Sequence, residues 1–424
     1  MGALRPHFEE GNMRHAVFVV VLLGSGHAAA QPLSLEDALR KGVEQSPRLA
    51  AQRHMVSAAG EQIGRAAERP DPKLKLGIEN LPVTGEDKFR YGRDFMTAGA
   101  IGWSQEFPNG AKREARQLRA ERARDLEQAT LSVQETLLHR DTALAWLAIH
   151  YAERGRAALG RLARQFEVEL EALPAAIARG RQGAADAFML RQGLEEVNDR
   201  AIEQDRLVEK ARISLASLIG EEAQRPLADP PDTARLAHSR EQLVGRLEEH
   251  PQLRSFDRRA ALAEAEVRLA SSTKHSDWML EVEYGQRRPY FENMLTVMVS
   301  FDLPWQAGRR QDRAVASRLA ELEQARAVRE DARRIHEAEV RGFFADFDAA
   351  ERRIARFEKI LVPLARDRRA ASLAAYRGGR GELGALLDSE RAATDTELGF
   401  IEALADRGSA WANLNYLQPH AGAP

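Results

Sequence analysis

Glu135 and His139 stand four residues apart, a spacing that puts a carboxylate and an imidazole on one helical face, within reach of a single metal ion. His150 with Glu153, and His336 with Glu339, repeat the arrangement at three residues. Zinc takes three or four protein ligands, so each pair is half a site, and among 64 acidic residues such pairs arise by chance. They read as ion pairs on helix surfaces. Gly379-Arg380-Gly381-Glu382-Leu383-Gly384 spells a dinucleotide-binding loop, but that loop works only between a strand and a helix, and Leu373-Ala374-Ala375-Tyr376 before it reads as helix. His139-Arg140-Asp141 spells part of a kinase catalytic loop with no glycine loop or Asp-Phe-Gly to accompany it, which leaves surface charge. No nucleophile elbow is present, and the absence of cysteine excludes thiolate metal sites, a cysteine nucleophile, disulfides and lipid attachment to an N-terminal cysteine. No catalytic set, cofactor or resident metal is expected. Asp388 is a different case, because it lies a turn or two past a glycine-marked reversal. Where several subunits bring such reversals together, their carboxylates form an acidic ring that favours cations.

The elements that must carry these residues are long helices. Charged residues make up 30% and aromatics 6% of the 424 residues, which favours solvated helices over one deep core. With 62 basic and 64 acidic side chains the net charge is −2, so no long-range attraction to nucleic acid is expected. The Arg309-Arg310-Gln311-Asp312-Arg313 stretch lacks aromatics for base stacking and reads as a solvated face. Helical pattern runs from Ser34, a plausible N-cap with Asp37 three residues on, to Glu68, and Pro70 and Pro72 end it. A helix from about Ala111 to Arg179 would extend on the order of 100 Å, so it must lie alongside others in a coiled coil or bundle. Its counterpart, Arg309 to Tyr376, is interrupted at Pro363. Both end in glycine-marked turns, with Gly180 and Gly183 followed by Asp186 in the first, and Gly379 and Arg380 followed by Glu382 in the second. Tyr376, Gly379 and Asp388 have no counterparts of the same type in the first turn, which points to gating in the second.

Between helices lie alternating segments. Leu74, Leu76 and Ile78 oppose Lys73, Lys75 and Glu79; in the strand predicted over Phe95 to Phe107, Phe95, Ile101 and Trp103 oppose Met96, Ala98, Ala100, Ser104 and Glu106. Gly99 and Gly102 weaken that strand. Trp278, Leu280, Val282 and Tyr284 oppose Glu281 and Glu283, and Leu295, Val297, Val299, Phe301 and Leu303 oppose Thr296, Ser300 and Asp302. Each is about as long as a tilted transmembrane strand, and alternation alone fits a half-buried hairpin in a soluble sheet equally well.

The whole pattern is stated twice, about 200 residues apart, too long a period for a solenoid. Ser46-Pro47-Arg48-Leu49 opens the first statement and His250-Pro251-Gln252-Leu253 the second. Residues 31–230 and 231–424 therefore read as two structural repeats, joined near Asp229-Pro230-Pro231-Asp232. Before them, Arg14-His15, the apolar run Ala16 to Leu23 and Ala28-Ala29-Ala30 make residues 1–30 a signal peptide cleaved near Gln31. Glu9 and Glu10 suit a signal poorly, which favours translation from Met13. No later apolar run reaches the roughly 20 residues of a membrane helix, so a membrane crossing would have to use strands.

In this order the parts resemble the TolC family of outer-membrane efflux channels over the mature chain. The resemblance is carried by the duplicated Pro-x-Leu openings, the strands closing in Phe107-Pro108 and Leu303-Pro304, and Tyr376-Arg377-Gly378-Gly379 leading to Leu383, Leu386, Leu387 and Asp388. It implies an α+β fold: a long α-helical coiled-coil barrel in which each subunit contributes four strands to a trimeric transmembrane β-barrel. It also implies a homotrimer in outer-membrane lipid, a periplasmic helical tunnel, a periplasmic adaptor and an inner-membrane resistance-nodulation-division pump as partners, and a passive exit duct rather than an enzyme. Glu79-Asn80-Leu81-Pro82 and Ile101-Gly102-Trp103-Ser104-Gln105-Glu106-Phe107-Pro108 resemble the branch that exports cobalt, zinc, cadmium, copper or silver. Many members carry a lipidated cysteine, absent here, and one of two acidic tip positions is Ala385, so an acidic ring would rest on Asp388 with Glu382 beside it. A channel for drugs or other organic solutes and a secreted or periplasmic coiled-coil scaffold are the alternatives.

Overall fold

The computed structural model describes residues 31–180 and 182–418; the predicted leader over 1–30 lies outside the described residues. After α1 (Leu35–Gln45), the chain runs α2 (Pro47–Ala67), β1 (Lys73–Glu79), β2 (Ala98–Phe107), α3 (Gly110–Ala178) and α4 (Ala184–Ile219). A short α5 (Arg240–Gly245) then leads into α6 (Pro251–Ser272), β3 (Trp278–Gln286), β4 (Met294–Phe301), α7 (Gln311–Arg356), α8 (Val362–Arg377) and α9 (Leu383–Asn415). Among the described residues, no helix is long and apolar enough to cross a membrane.

Local chemistry sets the breaks. The helix expected over Ser34–Glu68 is two helices, because the fixed φ of Pro47 starts a new one and the Ser46 hydroxyl caps it, accepting from the Leu49 N–H at 3.2 Å. Ser34 caps α1 by accepting from the Asp37 N–H at 3.0 Å, while the Asp37 carboxylate turns to Arg40. That guanidinium, then Ser34, holds the carboxyl below its usual range. The strand expected from Phe95 begins instead at Ala98, since the Asp94 carboxylate accepts from the Met96 N–H at 2.7 Å and keeps Phe95–Thr97 in a turn. The interruption at Pro363 takes the form of a π-helical turn over Phe357–Leu361, which precedes the proline whose missing N–H and ring disfavour a regular helix. α3 runs for 69 residues with Pro174 inside it.

The strands form one antiparallel sheet in the order β1-β2-β3-β4. Helices continue that order: α2 packs on α3, α3 on α6, and α6 on α7. Since α2 enters β1, β2 leads to α3, α6 enters β3 and β4 leads to α7, strands and helices make one continuous wall. The main core lies where the chain ends strap the bundle. Trp146 of α3 is fully buried and donates its indole N–H to the Leu33 carbonyl at 3.1 Å, Leu33 bridges Leu227, and Trp411 donates to the Arg235 carbonyl at 2.8 Å. A second core, far along α3, is built by Leu162, Phe166 and Leu173 with Leu190 and Val197 of α4 and Leu383, Leu386 and Leu387 of α9.

Candidate functional site

Period-two alternation gives the sheet two unlike faces. On one, Leu74, Leu76, Ile78, Ile101, Trp103, Phe107, Trp278, Tyr284, Leu295, Val297, Val299 and Phe301 all stand exposed or partly so, Leu76 at 72%. Among the described residues, no helix covers them. Aromatic side chains cluster at both strand ends: Phe107 stacks on Trp278 at 4.0 Å beside Phe301 and Trp305, and Phe89, Tyr91, Phe95, Tyr290 and Phe291 occupy the loops at the other end. The opposite face is mixed, with Lys73, Lys75, Glu79, Glu281 and Glu283 set among Ala98, Ala100, Met279, Met294 and Met298. Lys75 pairs with Glu281 at 2.5 Å across β2, and Gly102 makes room, since a Cβ there would lie 3.3 Å from the Glu283 carboxylate.

At the far end, two helix reversals meet. Gly180 and Gly379 both adopt the left-handed conformation, at φ 69° and 68°, one residue past the C-caps of α3 and α8. Gly379 therefore has a counterpart in the first turn, contrary to expectation. The second turn closes as a Schellman motif, with the Gly379 N–H donating to Tyr376 at 3.0 Å and the Arg380 N–H to Ala375 at 2.9 Å. Gly381 sits so close that a Cβ would lie 2.9 Å from the Tyr376 nitrogen. In the first turn the Asp186 carboxylate accepts from the Gly183 N–H at 2.8 Å and starts α4.

Tyr376 joins the two. Its hydroxyl accepts from the Gln182 amide at 3.1 Å, and burial, then the charges of Glu169 and Asp186, raise its pKa above the ordinary value. Glu382 is the exposed N-cap of α9, without a side-chain cap bond, and Arg380 is exposed. Asp388, at 68% side-chain exposure, lies 3.8 Å from Arg391, which also binds Glu196 at 3.0 Å and lies over the Phe166 ring. The structure thus brings Tyr376 to the first turn and gives Asp388 a cationic neighbour.

The tip also holds a buried network that sequence reading missed. Glu390 pairs with Arg369 of α8 at 2.5 Å and accepts from Gln165 of α3 at 2.7 Å, and Arg369 donates to Gln165 at 2.7 Å. A signal was available, because Glu390 falls on the Leu383, Leu386, Leu387, Thr394 stripe of α9, where an acid must find a partner. Glu169 nearby has its carboxyl pushed up by burial, against the pull of Arg377.

Two of the three acid-histidine pairs fall apart, while His336 and Glu339 stay together at 3.2 Å. Glu135 pairs with Arg53 at 3.7 Å, and Glu153 with Arg212 at 2.5 Å. His150 stacks on Trp146, with its pKa lowered by burial first. His336, expected on a helix surface, is buried at 4% exposure. Among the described residues, no cluster of three histidine or acidic side chains is placed to hold a metal.

No protein-family model matches the chain, and no curated protein matches it in sequence. Solved structures do match its fold. CusC, in crystal structures concerned with folding and transmembrane channel formation, superposes with a TM-score of 0.78 at 12% identity over 98% of this chain and 99% of its own. The outer membrane protein VceC of Vibrio cholerae gives 0.73 at 16% over 90% of this chain and 95% of its own. The open MtrE outer membrane channel of Neisseria gonorrhoeae gives 0.72 at 17% over 90% and 88%. The architecture, mostly helical with a small antiparallel sheet, is the fold these outer-membrane and channel proteins share.

Proposed function

We propose that three copies of this chain form an outer-membrane channel of the TolC family, the passive exit duct of a tripartite efflux system. The observation that carries this reading is the sheet: four strands with an exposed apolar face and outer edges on β1 and β4 that have no strand neighbour among the described residues. Lipid accepts the apolar face but no open edge, and the smallest outer-membrane barrels have eight strands, so further copies must supply the rest. Because α2-α3-α6-α7 follows the strand order, β4 with α7 of one copy meets β1 with α2 of the next, and one contact closes both sheet and helical tunnel. The aromatic clusters at both strand ends fit the two membrane interfaces. The tip would meet a periplasmic adaptor and, through it, an inner-membrane resistance-nodulation-division pump.

Heavy-metal cations are the proposed cargo, on the strand motif Ile101 to Pro108. Asp388 and Glu382, repeated three times, would bias the entrance toward cations, with Tyr376, Gly379 and Arg380 as the gate elements and Gly180, Gly183 and Asp186 shaping the turn beside them. The chain lacks cysteine, so pairs engineered along β1 and β4 give clean crosslinks: a trimer ladder in outer-membrane extracts supports the reading, and monomer in the soluble fraction refutes it. Asp388→Asn is expected to lower cation preference in planar-bilayer conductance; an unchanged preference removes the ring. A deletion strain that keeps full resistance to every metal and drug tested would count against efflux.

A further inference from the structure

We propose that His250 and His336 form a proton-operated clasp that holds the start of α6 on α7 while both rings are neutral and opens when both are charged. His250 is the N-cap residue of α6, fully buried and making no cap bond, and His336 lies in the middle of α7. His250 Nδ1 and His336 Nε2 face each other at 2.5 Å, with the rings edge to face at 4.7 Å. His336 Nδ1 lies 3.2 Å from Glu339 Oε2. His250 Nε2 is buried with no hydrogen-bond partner.

These contacts fix the protons of the neutral state. Glu339 accepts, so His336 carries its proton on Nδ1 and presents a bare Nε2; His250 donates from Nδ1, and its own Nε2 is bare. A charge on both rings is not accommodated, because two cations would then face each other at hydrogen-bond distance away from water. Consistently, burial first, and then the neighbouring His336, lowers the pKa of His250 to about 4.

The surrounding charges do not replace this response. Glu339 is half exposed; from α3, Arg140 lines the adjoining cavity and is held by Asp141 at 2.8 Å, while His139 lies against the Tyr416 ring. From the end of α9, Tyr416 is pushed up to about 12 by burial and stays neutral, and Asn413 carries no charge. Before α6, Glu248 is tied to Arg329 and Glu249 is exposed; on α7, Glu337 is tied to Arg333 at 3.1 Å.

The sign follows from linkage. Below about pH 6.5 the unfolded chain binds a proton that folded His250 refuses until about pH 4, so the clasp's stabilisation is complete above this window and is lost as pH falls through it. The clasp stands on the two rings and does not depend on the channel reading. The test measures the unfolding midpoint of the purified full chain from about pH 8 to about pH 4. His250→Asn keeps an amide donor near Nδ1 but cannot take a proton. The wild-type midpoint is expected to fall several degrees more than that of His250→Asn over the window, and parallel profiles overturn the clasp. If the variant fails to fold, assigned imidazole resonances of histidine-labelled wild type decide: a His250 ring still neutral near pH 5 supports it, and His250 and His336 titrating independently near 6.5 refute it. Stoichiometric zinc uptake abolished by His250→Asn would likewise overturn it in favour of a metal site.

Discussion

The sheet and the helical tip use the same side chains in opposite ways. In the sheet, Leu74, Leu76, Leu295 and Val297 stand in the open on an exposed face. At the tip, Leu383, Leu386 and Leu387 are almost fully buried against Phe166 and Leu190, and the buried Glu390 beside them is paired with Arg369. Apolar area left in water forgoes about 25 cal/mol per Å², so the sheet is not built for water alone, whereas the tip already satisfies itself within one chain. On the proposed reading, one end needs an apolar surrounding and further strands, while the other buries its apolar side chains within one chain.

The contrast can be broken or sharpened by substitution. Phe166→Ala empties the centre of the tip core and is expected to destabilise the helical end by about 3–5 kcal/mol in chemical denaturation, leaving membrane extraction behaviour unchanged. Leu76→Arg is expected to cost about 2–4 kcal/mol of membrane insertion, read as outer-membrane protein lost to the soluble fraction. On a water-facing sheet the same change would be nearly neutral, so an unaffected yield would erase the distinction. Gly180→Ala and Gly379→Ala meet no neighbouring atom and should each cost about 1–2 kcal/mol through backbone strain alone, measured as equal shifts in denaturation midpoint. Smallest is Tyr376→Phe, which removes the acceptor for Gln182 and should cost about 1 kcal/mol; a conductance increase in bilayers would make that link part of the closed gate.

Much of this was legible beforehand. Pro70 and Pro72 end the first helical stretch, period two assigns the strand faces, and glycine announces both reversals, whereas the break at Pro47 was not read from the sequence. The misses have two causes, one local and one long-range. Asp94 capturing the Met96 N–H shortened β2, a local bond that alternation does not report. His336 was assigned to a surface because its neighbour Glu339 suggested an ion pair, while burial came from α6, 86 residues away in sequence. Gln182 gave no signal at all, since its partner Tyr376 is 194 residues distant.

Residue order by itself determined the elements, their amphipathic faces and the glycine turns, because those depend on backbone sterics and on solvent preference within a few residues. Only the tertiary structure decided that strand and helix orders coincide, that the first and second turns touch, and that two histidines share a buried hydrogen bond. These depend on which distant segments lie side by side, and that is set by packing the long helices against one another.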